Sequence, residues 1–198
     1  MDWPSPLAWV LQLVSARISF GVTSDMTKAF MKALKDMQAK EVLAGFPEST
    51  SERKDENGEE SPITNAAIAY VQNTGMPELN IPQREFMESG TESKREDITD
   101  GMREAGLAAL DGDRQRVEAE LHRVGLAAQN GIQSKINEGP FVPLADSTVE
   151  ARARRGRHGA QEEMDRRAAG EAPGTDLARP LVDTAQLEHA VTYLVREK

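Results

Sequence analysis

The chain lacks cysteine altogether and is poor in aromatic residues and histidine. Its 198 residues include no cysteine, three histidines and 5% aromatic residues. The absence of cysteine excludes disulfides, a thiol nucleophile and thiolate metal sites, and it fits a reducing compartment. Hydrophobic residues make up only 38% of the chain, whereas charged residues reach 29%. We therefore expect a single domain with a thin core, which has long loops or is completed by a partner chain.

The sequence has no apolar run long enough to cross a membrane. Its most apolar stretch, residues 7–14, is far shorter than the roughly 20 residues that a membrane-spanning helix needs. Asp2 stands where a signal peptide carries a base, and prolines interrupt the segment. We therefore predict that residues 1–15 form an apolar arm and that the protein does not bind membranes. The arm's large apolar side chains need cover from the chain's own core or from a neighbouring subunit: Trp3, Leu7, Trp9, Leu11 and Val14.

Sequence motifs for common enzyme chemistry are also missing. The histidines His122, His158 and His189 have none of the spacings that give metal geometry. The glycine-rich phosphate loop and the Gly-x-Ser-x-Gly elbow are absent. We predict a protein that is not an enzyme and that has no catalytic residue, metal site or cofactor.

The charge of the chain bears on nucleic-acid binding. A formal net charge of −9 argues against a protein that mainly grips DNA phosphates, although it suits a channel wall that DNA slides past. The one basic segment lies within residues 152–174 and is read either as a solvated linker or as a contact for DNA or an acidic partner. A nucleic-acid-binding regulator is therefore our alternative function. Its basic residues would be Arg152, Arg154, Arg155, Arg157, His158, Arg166 and Arg167.

Hydrophobic periodicity predicts the secondary structure. Alternation predicts strands over residues 16–22, 41–47 and 191–196, and helical spacing predicts an amphipathic helix over 26–37 that covers a sheet. A longer helical region over 93–138 breaks near Gly112, and its second part carries an apolar stripe. We expect an α+β fold in which a small antiparallel sheet packs against one or two long helices. The stripe comprises Val117, Leu121, Val124, Ala128, Ile132 and Ile136.

The ends of the shorter elements carry helix-capping residues. Asp183 or Thr184 is expected to cap a helix that begins at Ala185, and Asp146 or Ser147 is expected to cap another. Residues 48–61 are charged and carry no large apolar side chain, so we predict a solvated loop there. The predicted organisation is thus the arm followed by one domain over residues 16–198, with a charged loop at 48–61 and an Arg-rich insertion at 152–174.

Several segments, taken in order, resemble the neck and tail-completion proteins of long-tailed bacteriophages, a group that includes minor tail protein Z. Three short motifs carry the resemblance together with the helices at 66–75 and 117–138 and the strand at 42–47. They read I-P-Q-R-E-F at residues 81–86, P-L-A-D-S-T at 143–148 and P-L-V-D-T-A-Q-L at 180–187. The motif residues expected to be structural are Ile81, Pro82, Arg84, Phe86, Pro143, Leu144, Ser147, Thr148, Leu181, Asp183, Thr184 and Leu187.

The sequence departs from the family pattern at two motif positions. Glu85 stands where the family usually has a second proline, and Ala185 stands where it usually has glycine. The second change predicts that position 185 does not need a positive φ. The arm and the Arg-rich insertion have no counterpart that we can place.

The resemblance implies a structural virion protein. It implies a homo-oligomeric ring of six copies, or of twelve, that caps the tail tube or joins it to the head connector and lets DNA pass without sequence-specific binding. Its partners would be head connector or neck proteins and tail tube or sheath proteins, and it would reside in the virion after assembly in the host cytoplasm. We expect subunit or partner contacts from the arm and, by edge addition, from the terminal strand residues Val191, Tyr193 and Val195.

Overall fold

The computed structural model describes residues 24–55 and 57–198. The predicted arm and the predicted strand at 16–22 lie outside these residues. In chain order the elements are α1 (Ser24–Gln38), β1 (Lys40–Gly45), α2 (Glu48–Ser51), α3 (Asn65–Thr74), a 3₁₀ turn (Pro77–Leu79), α4 (Phe86–Glu92), α5 (Arg95–Leu110), α6 (Arg114–Glu138), α7 (Asp146–Arg154), α8 (His158–Ala168), α9 (Gln186–His189) and β2 (Thr192–Glu197).

The two strands form an antiparallel sheet that packs against α6. β1 pairs with β2 so that Val42 lies opposite Val195, and both valines pack against the apolar cluster between α5 and α6. Farther along β2, the ring of Tyr193 lies directly over Gly125 of α6, where a side chain would collide with it. The predicted fold class, a small antiparallel sheet against long helices, is confirmed, although the described chain is mostly helical.

Helix α6 organises the core because its apolar stripe is continuous. All six residues of the predicted stripe are buried. Ile132 and Ile136 join Phe86, Leu187 and Val191 in the largest apolar cluster. Helix α4 crosses α6 where Gly90 and Gly131 bring the two backbones into contact, and a side chain at either glycine would collide with the other helix. The predicted break between the two long helices is confirmed at residues 111–113.

Helix α1 is less buried than its sequence predicts. It packs mainly along α5 and only lightly against β1, so it does not cover the sheet. Met37 reaches the apolar cluster of α5 and α6, whereas Phe30, Met31 and Leu34 are 47%, 60% and 39% exposed. The apolar stripe of α1 is therefore largely uncovered by the described residues.

Two predictions of helix caps are wrong. Helix α9 begins at Gln186 after Ala185, and neither Asp183 nor Thr184 caps it. Helix α7 begins at Asp146 after Ala145, without a side-chain cap, and it continues to Arg154. In both places the acidic side chain predicted as a cap pairs instead with arginines of the segment at 152–174.

No helix in the described part of the chain is long and apolar enough to span a membrane.

Candidate functional site

The three motifs that carry the family resemblance meet at one place in the structure. The first motif contributes Arg84, the second Thr148 and the third Pro180 to the walls of two adjoining surface depressions. Gln72 of α3 and Arg152 of α7 line both depressions and stand between the motifs. Segments that are far apart in sequence therefore form one surface.

Arg152 holds the third motif against α7. Its Nη1 donates hydrogen bonds to the carbonyl oxygens of Arg179 and Val182 at 2.7 and 3.0 Å, and its Nη2 donates to that of Pro180 at 3.1 Å. The residue is 8% exposed. Burial lowers the pKa of Arg152; Asp183 opposes this effect, while the neighbouring arginines 155 and 157 add to it. Since an arginine side chain remains protonated in proteins, Arg152 is a buried cation that fixes an irregular backbone segment.

Asp183 is the acid of the third motif and a partner of several arginines. Its carboxylate accepts a hydrogen bond from Arg157 Nε at 2.9 Å and lies 3.5 Å from Arg155 Nη1. Arg152 Nε is 3.9 Å away. The predicted structural role of Asp183 is thus to tie the motif to α7 and to the start of α8.

A second buried charge cluster joins α8 to the second motif. Glu163 is fully buried and accepts hydrogen bonds from Arg167 Nε at 2.8 Å, from Arg166 and from the backbone N–H of Gly174 at 2.8 Å. Arg167 also donates to the carbonyl oxygen of Leu144 at 2.9 Å and to Asp146 at 2.6 Å.

The pKa of Glu163 reflects these contacts. Burial alone would raise it, but the Gly174 N–H, the hydrogen bond from Arg167 and the charges of Arg166 and Arg167 outweigh burial and hold the pKa below its ordinary value. The carboxylate is therefore ionised at neutral pH, as a buried acid between two arginines must be.

The Arg-rich segment is therefore not a solvated linker, and that expectation is wrong. Residues 152–174 form the end of α7 and all of α8, around a small apolar cluster of Leu144, Val149, Ala160 and Ala178. Every arginine in this segment lies within 4.0 Å of a carboxylate, since Arg154 pairs with Glu150 in addition to the pairs above. The positive charge of the segment is directed largely into the protein.

The prediction that position 185 does not need a positive φ is wrong. Ala185 adopts φ 56° and ψ 2°, the left-handed conformation that glycine accepts most readily. The position therefore does need a positive φ, although alanine occupies it. The hydrogen bonds of Arg152 to the preceding residues and the burial of Leu187 just after it hold the chain in this turn.

The remaining motif residues divide between the core and the surface. Phe86, Leu181 and Leu187 lie in the largest apolar cluster, and Leu144 lies in the cluster beneath α7 and α8. Ser147 and Thr184 are exposed. Ile81, Pro82 and Pro143 line the larger depression.

The residues predicted at interfaces are placed as follows. The five arm residues lie outside the described residues. Val191 is 1% exposed and belongs to the chain's own core, while Val195 packs against the cluster of α5 and α6. Tyr193 packs on α6, and its hydroxyl is 3.3 Å from His122 Nδ1. These side chains face the chain's own helices, so an added strand would have to meet the backbone edge of the sheet.

No group of three or more histidine and acidic residues that could hold a metal ion is found among residues 24–55 and 57–198. Gln72, which belongs to none of the three motifs, and Glu163 were not identified from the sequence as residues of the site. The spacing of Glu163 from Arg166 and Arg167, three and four residues, is the signal that could have identified an ion-pair cluster on one helix face.

Comparison of the sequence with protein-family models finds no matching family, and comparisons with curated proteins and with solved structures also give no match.

Proposed function

We propose that this chain is a structural subunit of a tailed phage virion that assembles into a ring at the head–tail junction. In this role it caps the tail tube or joins it to the head connector, and DNA passes through the ring. One observation carries the proposal: the three motifs of the family resemblance converge on Arg152 and Gln72 in the fold, as parts of a single structural unit would.

The face of α1 that residues 24–55 and 57–198 leave uncovered supports assembly through protein contacts. Phe30, Met31 and Leu34 lie within two turns of one helix, and all three are substantially exposed. Adjacent helix α5 adds Leu107 and Leu110, which are also exposed. Exposed apolar side chains on neighbouring helices can mark interaction sites in soluble proteins, because leaving them in water is unfavourable. We propose that this face packs against a neighbouring subunit.

The Arg-rich segment gives less support to the alternative of a nucleic-acid-binding regulator. Its arginines lie close to carboxylates and backbone carbonyls of the same chain, so binding phosphate would break existing contacts. The net charge of −9 also opposes DNA binding.

The experiment is the mass of the purified protein in solution, measured by light scattering for the full chain and for two variants. One variant lacks residues 1–15, and the other carries Phe30→Glu with Leu34→Glu. We expect a ring-sized mass for the full chain and smaller species for the α1 variant, because two buried charges at an apolar contact are costly. Ile63→Glu is the control, since Ile63 is 54% exposed and belongs to neither α1 nor α5.

The rival functions make different predictions for the same samples. Two results together would replace the ring proposal by the regulator. The full chain would stay monomeric at all concentrations, and its affinity for DNA would fall steeply with salt and be lost when arginines 154 and 155 are neutralised. A ring-sized mass that is unchanged in the α1 variant would support the ring proposal and refute the contact through α1.

A further inference from the structure

Arg84 lies in the wall of a groove that is open in the described part of the chain. The groove has a volume of about 800 Å³ and runs between the turn at residues 75–84 and the extended segment at 142–145. Ile81, Pro82 and Pro143 give it apolar walls, and Val142 at its edge is 59% exposed. It has the shape and lining of a cleft for an extended segment.

The charge of Arg84 has no acidic partner within the described chain. The residue is 5% exposed, its Nη1 donates to the neutral amide oxygen of Gln72, and its Nε is buried without a hydrogen-bond partner. Burial lowers the pKa of Arg84, and the nearby positive charge of Arg152 lowers it further. A buried cation beside an amide and another cation is unfavourable, and an anion next to it would offset that cost.

A second feature of the same groove favours an anion. Helix α7 begins there without a side-chain cap, and the groove is lined by Ala145, which precedes the helix, and by Thr148 of its first turn. The first N–H groups of a helix and its dipole attract negative charge. The acid of that turn, Asp146, is already bound to Arg167.

We propose that the groove beside Arg84 binds the carboxylate of an acidic side chain on an extended segment of a partner protein. A guanidinium group attracts a carboxylate by its charge and by charge-assisted hydrogen bonds, and Arg84 lines the groove. The apolar and proline-lined walls suit the neighbouring residues of a peptide. The proposal does not depend on ring formation, because it concerns a site within one chain.

Charge and access favour a peptide over the backbone of a nucleic acid. The chain carries a net charge of −9, which repels a phosphate polymer, and Arg84 is 5% exposed. A single carboxylate on a flexible side chain can enter the groove, whereas a duplex backbone cannot approach a guanidinium at that depth.

The first experiment supplies the missing anion from within the chain. In Gln72→Glu a carboxylate replaces the amide that contacts Arg84, with almost no change in shape. We expect the melting temperature to rise by about 2–4 °C, because the new ion pair neutralises the buried cation. The control is Asn130→Asp, the same kind of change at an exposed site in the middle of α6, and it should leave the melting temperature unchanged. A melting temperature that falls in Gln72→Glu would overturn the proposal.

The second experiment measures binding at Arg84 directly. The probe is a blocked tripeptide with glutamate between two prolines, compared with the same peptide carrying glutamine and with inorganic phosphate. We expect the glutamate peptide to shift the NMR signal of the Arg84 Nε–H and to bind at least ten-fold more weakly to Gln72→Glu and to Arg84→Gln. Arg154→Gln, which removes an exposed arginine paired with Glu150, should bind like the wild type.

The outcomes separate the possible ligands. Equal binding of the glutamate and glutamine peptides, or unchanged binding by Gln72→Glu, would refute the carboxylate site. Binding of phosphate without binding of the glutamate peptide would also refute it and would reassign the groove to a phosphate group. Because Gln72→Glu keeps Arg84 in place, the test remains decisive even where Arg84→Gln does not fold.

Discussion

Two charged segments of this chain are predicted alike from the sequence but have different structures. Residues 48–61 and 152–174 are both rich in acids and bases, and both are expected from sequence to be solvated. The first is exposed over residues 57–60, and its described residues form one helix, the single turn of α2. The second contains α8 and two charge clusters, one of them around a fully buried glutamate.

The difference arises from what lies beside the charges. The segment at 152–174 interleaves its arginines with apolar residues such as Ala153, Ala160 and Met164, which build a cluster with Val149 and Ala178. The segment at 48–61 has no such residues and is held at its base by hydrogen bonds from Thr50 and Lys54 to the C-terminal region. Charged side chains become structural where apolar neighbours exclude water and a carboxylate lies within reach.

The largest effect is expected at the buried acid. Glu163→Gln keeps the shape of the side chain but leaves Arg166 and Arg167 without their shared carboxylate. We expect the free energy of unfolding to fall by about 3 kcal/mol, the cost of breaking a buried ion pair from one side. Urea denaturation of the two proteins measures the difference.

Glu162→Gln, at the exposed neighbouring position, is the control and should change the free energy of unfolding by less than about 0.5 kcal/mol. The acid dependence gives a second check. Because the pKa of Glu163 is lowered in the folded protein, its contribution is present above the unfolded pKa of about 4.3 and is lost as the pH falls through the folded value. A difference in the free energy of unfolding between wild type and Glu163→Gln that stays constant down to pH 2 would contradict the buried ion pair.

A smaller loss is expected when Arg152 is replaced by lysine. A lysine keeps the charge but cannot reach the carbonyl oxygens of residues 179, 180 and 182 together, since its ammonium is a single point. We expect a loss of about 2 kcal/mol in the free energy of unfolding, measured in urea. Arg154→Lys should have almost no effect because Arg154 is exposed. Equal losses in the two variants would show that the carbonyl contacts do not stabilise the third motif.

Ala185 tests whether the arginine cluster holds a strained backbone. Ala185→Gly should raise the free energy of unfolding by about 1 kcal/mol, because glycine accepts φ 56° without the Cβ penalty. Ala119→Gly is the control of opposite sign: Ala119 is an exposed residue inside α6, and its replacement should lower stability by about 1 kcal/mol. Thermal melting of the two variants measures both changes. A loss of stability in both variants would refute the strain.

The sequence was sufficient for the parts of the fold that depend on apolar periodicity. The stripe of α6 was predicted in full because its six positions repeat at three and four residues. The terminal strand was predicted because Val191, Tyr193 and Val195 recur at every second position. The burial of Arg152 could not be predicted, since its partners are backbone carbonyls that have no sequence signature. The groove at Arg84 was missed for a similar reason: its walls come from segments far apart in the chain.

The smallest effect is expected in the charged loop at residues 48–61, where it tests whether the loop carboxylates lack specific partners. Glu59 is exposed, and its backbone N–H rather than its side chain takes part in the turn, donating to Asp55 at 2.9 Å. Glu59→Gln should therefore change the free energy of unfolding by less than about 0.5 kcal/mol in urea, with a slight gain from reduced repulsion in a chain of net charge −9. Asp55→Asn is the matched change at the residue whose carboxylate accepts those turn hydrogen bonds, and it should cost more. A loss above 1 kcal/mol in Glu59→Gln would mean that the loop carboxylates have partners as specific as those of Glu163, and the contrast between the two charged segments would no longer hold.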